Sequence, residues 1–250
     1  MKKVILFTIL AYCASVISPQ ETAYSYTISS NELSITSDFP SIELIESSDG
    51  KIHVQVIATL NDIHIPEMVK LNWDNQNQRL KAVTDHEKSE EYRKKIQGNQ
   101  SEDDTYYGNC FNYKTKLTVS LPKTVDKIFI RTIHGMVKAM PVPSNITDVN
   151  IKSDHGMVEL VFDRHETIKE INVHSDHGLV DVSLPQNCNF DISARTDFGD
   201  IYSDLNLDYE QKKNDLHHFN PSNLEATLND GGPPIDVSSD HADLYLRKSQ

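Results

Sequence analysis

The chain has 250 residues, a formal charge of −13, and 38% hydrophobic and 24% charged residues, enough for one large domain or two small ones. The acidic balance argues against nucleic acid as a partner, because phosphate contacts need a positive surface, and disfavours an anionic membrane surface. So polar a composition suits a flat, repetitive architecture better than a thick globule.

Lys2 and Lys3 precede an apolar run from Val4 to Ile17, broken by Thr8, Tyr12 and Ser15. A charged start followed by a short apolar run reads as a secretory signal peptide, residues 1–18, and predicts export to the periplasm, cell envelope or cell surface. A lipoprotein reading would use Cys13, although Tyr12 is bulkier than the small residue usual before a lipid-bearing cysteine. No other segment approaches the roughly 18 apolar residues of a membrane helix, so no transmembrane segment is expected after signal removal. Cys110 and Cys188 then remain. They can form one disulfide in an oxidising compartment or stay as two buried thiols, and the sequence leaves both readings open.

Residues 24–83 read as an N-terminal β-strand region. Glu32 to Thr36, Ile42 to Glu46 and Lys51 to Val56 alternate apolar and polar side chains, the period of half-buried strands. The turn residues Ser47-Ser48-Asp49-Gly50 predict a hairpin between the last two, with Gly50 free to take positive φ. Val69 to Val83 supplies two more strands around Asp74 to Asn77. Residues 84–109 are strongly polar and read as a flexible insertion, with a helical turn or two near Glu87 to Lys95. A second polar insertion runs from Asp208 to Asn223.

Residues 110–250 read as a β-repeat domain. Ile133-His134-Gly135, Asp154-His155-Gly156, Asp176-His177-Gly178 and Asp197-Phe198-Gly199 sit in equivalent frames, each following and preceding a short alternating strand. The glycines at 135, 156, 178 and 199 give intervals of 21, 22 and 21 residues. A last copy, Asp240-His241-Ala242, comes 43 residues after Gly199, which predicts one degenerate unit between them. Asp suits turn entry, and Gly a left-handed position or bulge. Units of about 21 residues cannot bury an apolar face alone but can do so by stacking. The expected fold is all-β: a β-solenoid or β-helix-like stack of repeats with N-terminal antiparallel strands. Those strands would close one end and the charged tail Arg247 to Gln250 would blunt the other.

Val119-Ser120-Leu121-Pro122-Lys123 before the first repeat, the strand–Gly–strand units, and the closing Leu228 to Ser239 resemble a family of bacterial exported proteins known as putative adhesins. The opening Ile35 to Phe39 before Ile42 to Leu44 is also similar. The resemblance covers about Glu32 to Arg247, outside the two polar insertions. It implies a β-solenoid-like fold in a cell-envelope or cell-surface setting, and it transfers no catalytic or ligand residue.

The sharpest candidate site is an Asp-His ladder. In a stack, His134, His155, His177 and His241 would line one edge beside Asp154, Asp176, Asp197 and Asp240, with Phe198 interrupting the row. Imidazole and carboxylate suit a divalent metal such as zinc; the plainer reading makes Asp a turn residue and His an exposed filler. No other cofactor is expected. Glu159, Asp181, Asp200 and Asp243 could serve as paired acids for sugar hydrolysis, but they alternate with apolar residues as solvated strand faces do. The expected function is non-enzymatic binding of an unidentified surface ligand, either a glycan or an envelope protein. Alternatives are a periplasmic scaffold or sensor component and a carbohydrate-active enzyme.

Overall fold

The computed structural model describes residues 22–97, 112–163, 168–208 and 222–249. The signal segment, Cys13, Cys110 and most of the second polar insertion lie outside the described residues. Among the described residues no helix is long and apolar enough to cross a membrane.

The first seven strands are β1 (Thr22–Thr27), β2 (Glu32–Ser37), β3 (Ser41–Glu46), β4 (Lys51–Leu60), β5 (Ile63–His64), β6 (Val69–Asp74) and β7 (Arg79–Thr84). Helix α1 (His86–Gln97) and strand β8 (Tyr113–Leu121) follow. The repeats contribute β9 (Lys127–Thr132), β10 (Val137–Ala139), β11 (Asp148–Ser153), β12 (Val158–Val161), β13 (Glu170–Ser175) and β14 (Val180–Leu184). The chain ends with β15 (Phe190–Thr196), β16 (Ile201–Ser203), β17 (Leu207–Asp208), β18 (Ser222–Leu228), β19 (Pro234–Ser239) and β20 (Leu244–Lys248).

Two mixed sheets face each other across one core. One runs β1-β4-β8-β3-β10-β12-β14-β20-β16, with β5 on β4, and the other β17-β18-β15-β19-β13-β11-β9-β2-β7-β6. Each repeat sends its first strand to one sheet and its second to the other. Equivalent residues pair in parallel register, Ile130 with Ile151 and Ile151 with Val173, Val137 with Val158 and Val158 with Val180. The unit β2/β3 joins the same series through Ile35–Ile130 and Ile42–Val137. Because side chains alternate along a strand, this register sets buried columns such as Leu33, Ile128, Val149 and Ile171.

The order of units departs from the order in sequence. The last copy does not follow the fourth with a degenerate unit between them. Instead β19/β20 slides between β13/β14 and β15/β16, pairing Val173 with Val237 and Val237 with Ala194. The tail therefore does not blunt an end, since β20 is interior to its sheet. The far ends are β16 in one sheet and the antiparallel pair β17–β18 beside β15 in the other.

The repeat glycines are also explained differently from expectation. Positive φ among the described glycines belongs to Gly231 (72°), in the turn between β18 and β19, and not to Gly50 or the repeat glycines. The repeat glycines sit at the corner between the sheets, where neighbouring backbones nearly touch. A Cβ on Gly156 would lie 2.0 Å from the Gly135 carbonyl oxygen, and one on Gly178 2.0 Å from that of Gly156. Ala242 takes the glycine's place in the last copy, and one backbone bond beside it is longer. The corner bond that measures 2.9 Å from Val137 to Met157 and from Val158 to Leu179 stretches to 3.3 Å from Val180 to Asp243.

Two further expectations are corrected. β3 and β4 do not form a hairpin, because β8 lies between them, parallel to β3 and antiparallel to β4. The insertion after β7 holds a three-turn helix in α1, not a turn or two. Asp85 accepts the Lys88 N–H at its start, and Tyr92 and Ile96 pack on the core. Exposed pairs Lys88–Glu91, Glu90–Arg93 and Glu91–Lys95 line the helix.

Gly156→Ala is expected to cost about 1–3 kcal/mol through backbone overpacking. Gly50→Ala, with nothing within 4 Å of the added carbon, should change stability by less than about 0.5 kcal/mol. Urea denaturation of the two variants checks the contrast.

Candidate functional site

The corner between the sheets carries the densest polar chemistry. Its inner side is a column of hydroxyls, Ser37, Thr132, Ser153, Ser175, Ser239 and Thr196, all buried. The Gly156 and Gly178 N–H groups each donate to the hydroxyl three residues earlier, at 2.8 Å. The Ser175 and Ser239 hydroxyls reach the carbonyls of Gly156 and Gly178 in the neighbouring unit, each at 3.2 Å. A buried hydroxyl at this position satisfies a backbone group that the corner would otherwise strand.

Outside that column stand the aspartates, half-buried, and beyond them the exposed rings. Asp was expected to hold the corner by bonding an amide two residues on. The corner amides instead continue the parallel ladder: the Asp176 N–H donates to Ser153 (3.0 Å) and the His177 N–H to Asp154 (3.0 Å). The carboxylates are thereby released for other partners. Asp38 accepts the Thr84 N–H at 2.9 and 3.0 Å, and Asp197 pairs with Arg195 at 2.9 Å. The Asp154 and Asp240 carboxylates make no hydrogen bond or ion pair among the described residues.

The rings form one continuous row in the order Phe39, His134, His155, His177, His241, Phe198. Successive centroids are 4.7, 4.9, 4.7, 4.4 and 5.0 Å apart, and the His155–His177 and His177–His241 planes are parallel within 2°. Phe198 does not interrupt the row. It ends it, because the inserted unit places His241 between His177 and Phe198, and it is 67% exposed. The parallel rings of His155, His177 and His241 direct their nitrogen lone pairs side by side and not toward a common point, and His134 is tilted 43° to His155. Nδ1 of His177 lies 3.3 Å from the Asp154 carbonyl and Nδ1 of His241 lies 3.1 Å from that of Asp176. A carbonyl only accepts, so Nδ1 donates and a neutral ring presents Nε2 outward as an acceptor.

The side chains brought within ligand distance of one another are His174, Asp176 and Asp240, whose donor atoms lie within 4.8 Å. Of the ladder residues, Asp176 and Asp240 belong to this group; His134, His155, His177 and His241 are in the ring row, Asp197 is paired with Arg195, and Asp154 stands apart. His174 escaped the sequence reading because the equivalent places hold Arg131, Lys152 and Arg195, so it looked like one more exposed strand residue. Cys188 is a free thiol, 2% exposed, and burial pushes it up to about 11. It follows Pro185 as Val125 follows Pro122 and Ile146 follows Pro143, with the same backbone bond closing each turn, so it serves as a core filler. Its suggested partner Cys110 is outside the described residues.

Of the acids considered for hydrolysis, Glu159 and Asp181 sit with Glu43 on the outer face of the other sheet, where cations of neighbouring strands meet them; Asp200 and Asp243 lie just before β16 and β20, and the Asp243 carboxylate accepts the Asp200 N–H at 2.9 Å. Lys116 reaches Glu43 (2.6 Å), Lys138 reaches Glu159 (3.2 Å) and Arg247 reaches Asp181 (3.0 Å). At the Phe39 end of the row a groove of about 790 Å³ opens, lined by Phe39, Ile57, Met68, His86, Tyr113 and Lys116 among others. The Phe39 and His86 rings meet edge-on at 5.7 Å across it.

No family model and no curated protein matches the chain. Among solved structures, a putative cell adhesion protein from Clostridium sporogenes superposes with a TM-score of 0.60 at 13% identity, over 93% of this chain and 100% of that one. A putative adhesin from Bacteroides fragilis gives a TM-score of 0.32 at 12% identity, over 93% of this chain and 98% of that one. The first of these shares the fold, and the likeness to putative adhesins read from the repeat units recurs there.

Two outcomes are expected. Ser175→Ala should cost about 1–3 kcal/mol in urea denaturation, because it leaves the buried Gly178 N–H without its acceptor. For Asp181, burial raises the carboxyl above its usual range, Arg247 opposes the rise and Glu159 adds to it. A raised carboxyl stabilises the fold below the unfolded value and loses that contribution as pH rises through the folded one. The stability of Asp181→Asn relative to the wild type should therefore be higher at pH 7 than at pH 3.

Proposed function

We propose that this chain is an exported, non-enzymatic binding protein of the cell envelope or cell surface, of the putative-adhesin type. Its six two-strand units, taken as turns of one short β-solenoid, would hold the ring row and its aspartates as a rigid recognition edge. The observation that carries this reading is the unbroken ring row from Phe39 to Phe198, tilted at Phe39 and His134 and stacked from His155 to Phe198, exposed along its length and about 24 Å long at the usual strand spacing.

Stacking uses up the ring faces, so the edge offers ring rims. The outward Nε2 acceptors of His177 and His241 stand on neighbouring units, with half-buried carboxylates beside them. That array suits an extended ligand rich in hydroxyl donors, a glycan chain, with the groove beside Phe39 as its deep end. Preorganisation favours such binding, since rings already held by their neighbours lose little freedom on contact.

Protease treatment of intact producing cells, tracked against a known periplasmic control, tests the location. Release of fragments before lysis supports the surface reading; full protection until lysis overturns it. Glycan-array binding by the full chain tests the edge. His155→Ala combined with His177→Ala is expected to weaken any observed glycan binding about tenfold or more, and retention of wild-type binding would remove the ring row as the contact zone.

A further inference from the structure

We infer that His174, Asp176 and Asp240 form a binding site for a divalent transition-metal ion, zinc by preference. This inference does not rest on the adhesin reading. The three side chains come from two units that are remote in sequence. His174 lies on β13 and Asp176 at the corner that follows it, while Asp240 occupies the corner of the inserted unit β19/β20. Each offers one donor atom within 4.8 Å of the others, and all three are half-buried.

Imidazole with two carboxylates is a donor set that zinc accepts, leaving at least one position for water. The nitrogen donor argues against calcium or magnesium, which prefer all-oxygen shells. The imidazole is already held in a suitable orientation. Its Nδ1 lies 2.8 Å from the Ser238 hydroxyl on the adjacent strand, and its Nε2 lies 2.6 Å from Asp176 Oδ1. With Nδ1–H donating to Ser238, Nε2 is the ligand atom and Ser238 the group that fixes the ring.

Two features of the cluster favour an ion there. The Asp240 carboxylate, half-buried beside Asp176, has no hydrogen-bond or ion-pair partner among the described residues, whereas the next aspartate in the stack, Asp197, is paired with Arg195. The close Nε2–Asp176 contact needs a proton between the two atoms. An ion entering here displaces that proton to the buffer, forms the Nε2 and carboxylate bonds, and neutralises two facing carboxylates. It also clamps the inserted unit to β13, so binding should stabilise the fold.

Calorimetric titration of the full chain with zinc chloride tests the inference, alongside thermal unfolding with and without the ion. Wild-type protein is expected to bind one ion per chain through this site, with proton release and a raised Tm. His174→Ala and Asp240→Asn should each weaken that affinity at least about tenfold, and Ser238→Ala should do so through the ring it orients. Thermal unfolding without zinc identifies any variant that merely fails to fold, and in that case the milder Ser238→Ala decides. His155→Ala combined with His177→Ala should bind as the wild type does. Wild-type affinity retained in both His174→Ala and Asp240→Asn, no binding by the wild type at about 1 mM zinc, or loss confined to the His155/His177 variant would overturn the assignment.

Discussion

Everything in this molecule depends on how closely neighbouring backbones meet at the corner between the two sheets. A Cβ on any of the repeat glycines would fall 2.0 to 2.3 Å from a carbonyl oxygen of the adjoining unit. That approach is closer than a side chain permits, so each unit must lie directly on its neighbour and in register. From this constraint follow the hydroxyl column that satisfies corner amides, the aliphatic columns of the interior and the ring stack outside. Ala242 takes the glycine's place in the last copy, and one adjoining backbone bond is longer.

The last strand pair, β19/β20, is inserted within the two sheets and is not appended at their edges. With β19/β20 seated between β13/β14 and β15/β16, the strands at that end of both sheets are joined to the rest through the chain's last described residues, by pairings between distant parts of the chain. Pairing of this kind carries loop-closure entropy before it yields contacts, which predisposes such folds to slow formation. At the far end the edges are modest, a three-residue strand in one sheet and an antiparallel addition in the other, and the opposite edges are the antiparallel six-residue strands β1 and β6. Short or bent edges limit further pairing between molecules.

The corner also sorts the acidic residues. On the flat sheet face, acids meet cations of adjacent strands and form cross-strand pairs. At the corner, in-register stacking brings aspartates above one another, and only Asp38 and Asp197 find a local amide or guanidinium. The remaining carboxylates, with the ring rims beside them, leave an edge whose hydrogen-bonding capacity is directed outward. The same geometry separates two kinds of histidine. Ring-row histidines spend their faces on each other, while His174, one column inward, turns its nitrogens toward Ser238 and Asp176.

Much of the local structure could be read before any coordinates. Alternation marked the strands, the intervals between glycines marked the units, and the β6–β7 hairpin around Asp74 to Asn77 was legible from its turn residues. The ring edge was visible too, since equal places in equal units must align if the units pair. The sequence by itself thus determined which residues face inward, where each unit turns and which side chains share a column, because those properties depend on a period of two and on local sterics. Only the tertiary structure decided which unit lies beside which. Spatial adjacency of strands is a non-local choice that periodicity does not encode, and it placed β8 between β3 and β4, His241 between His177 and Phe198, and Asp240 between Asp176 and Asp197.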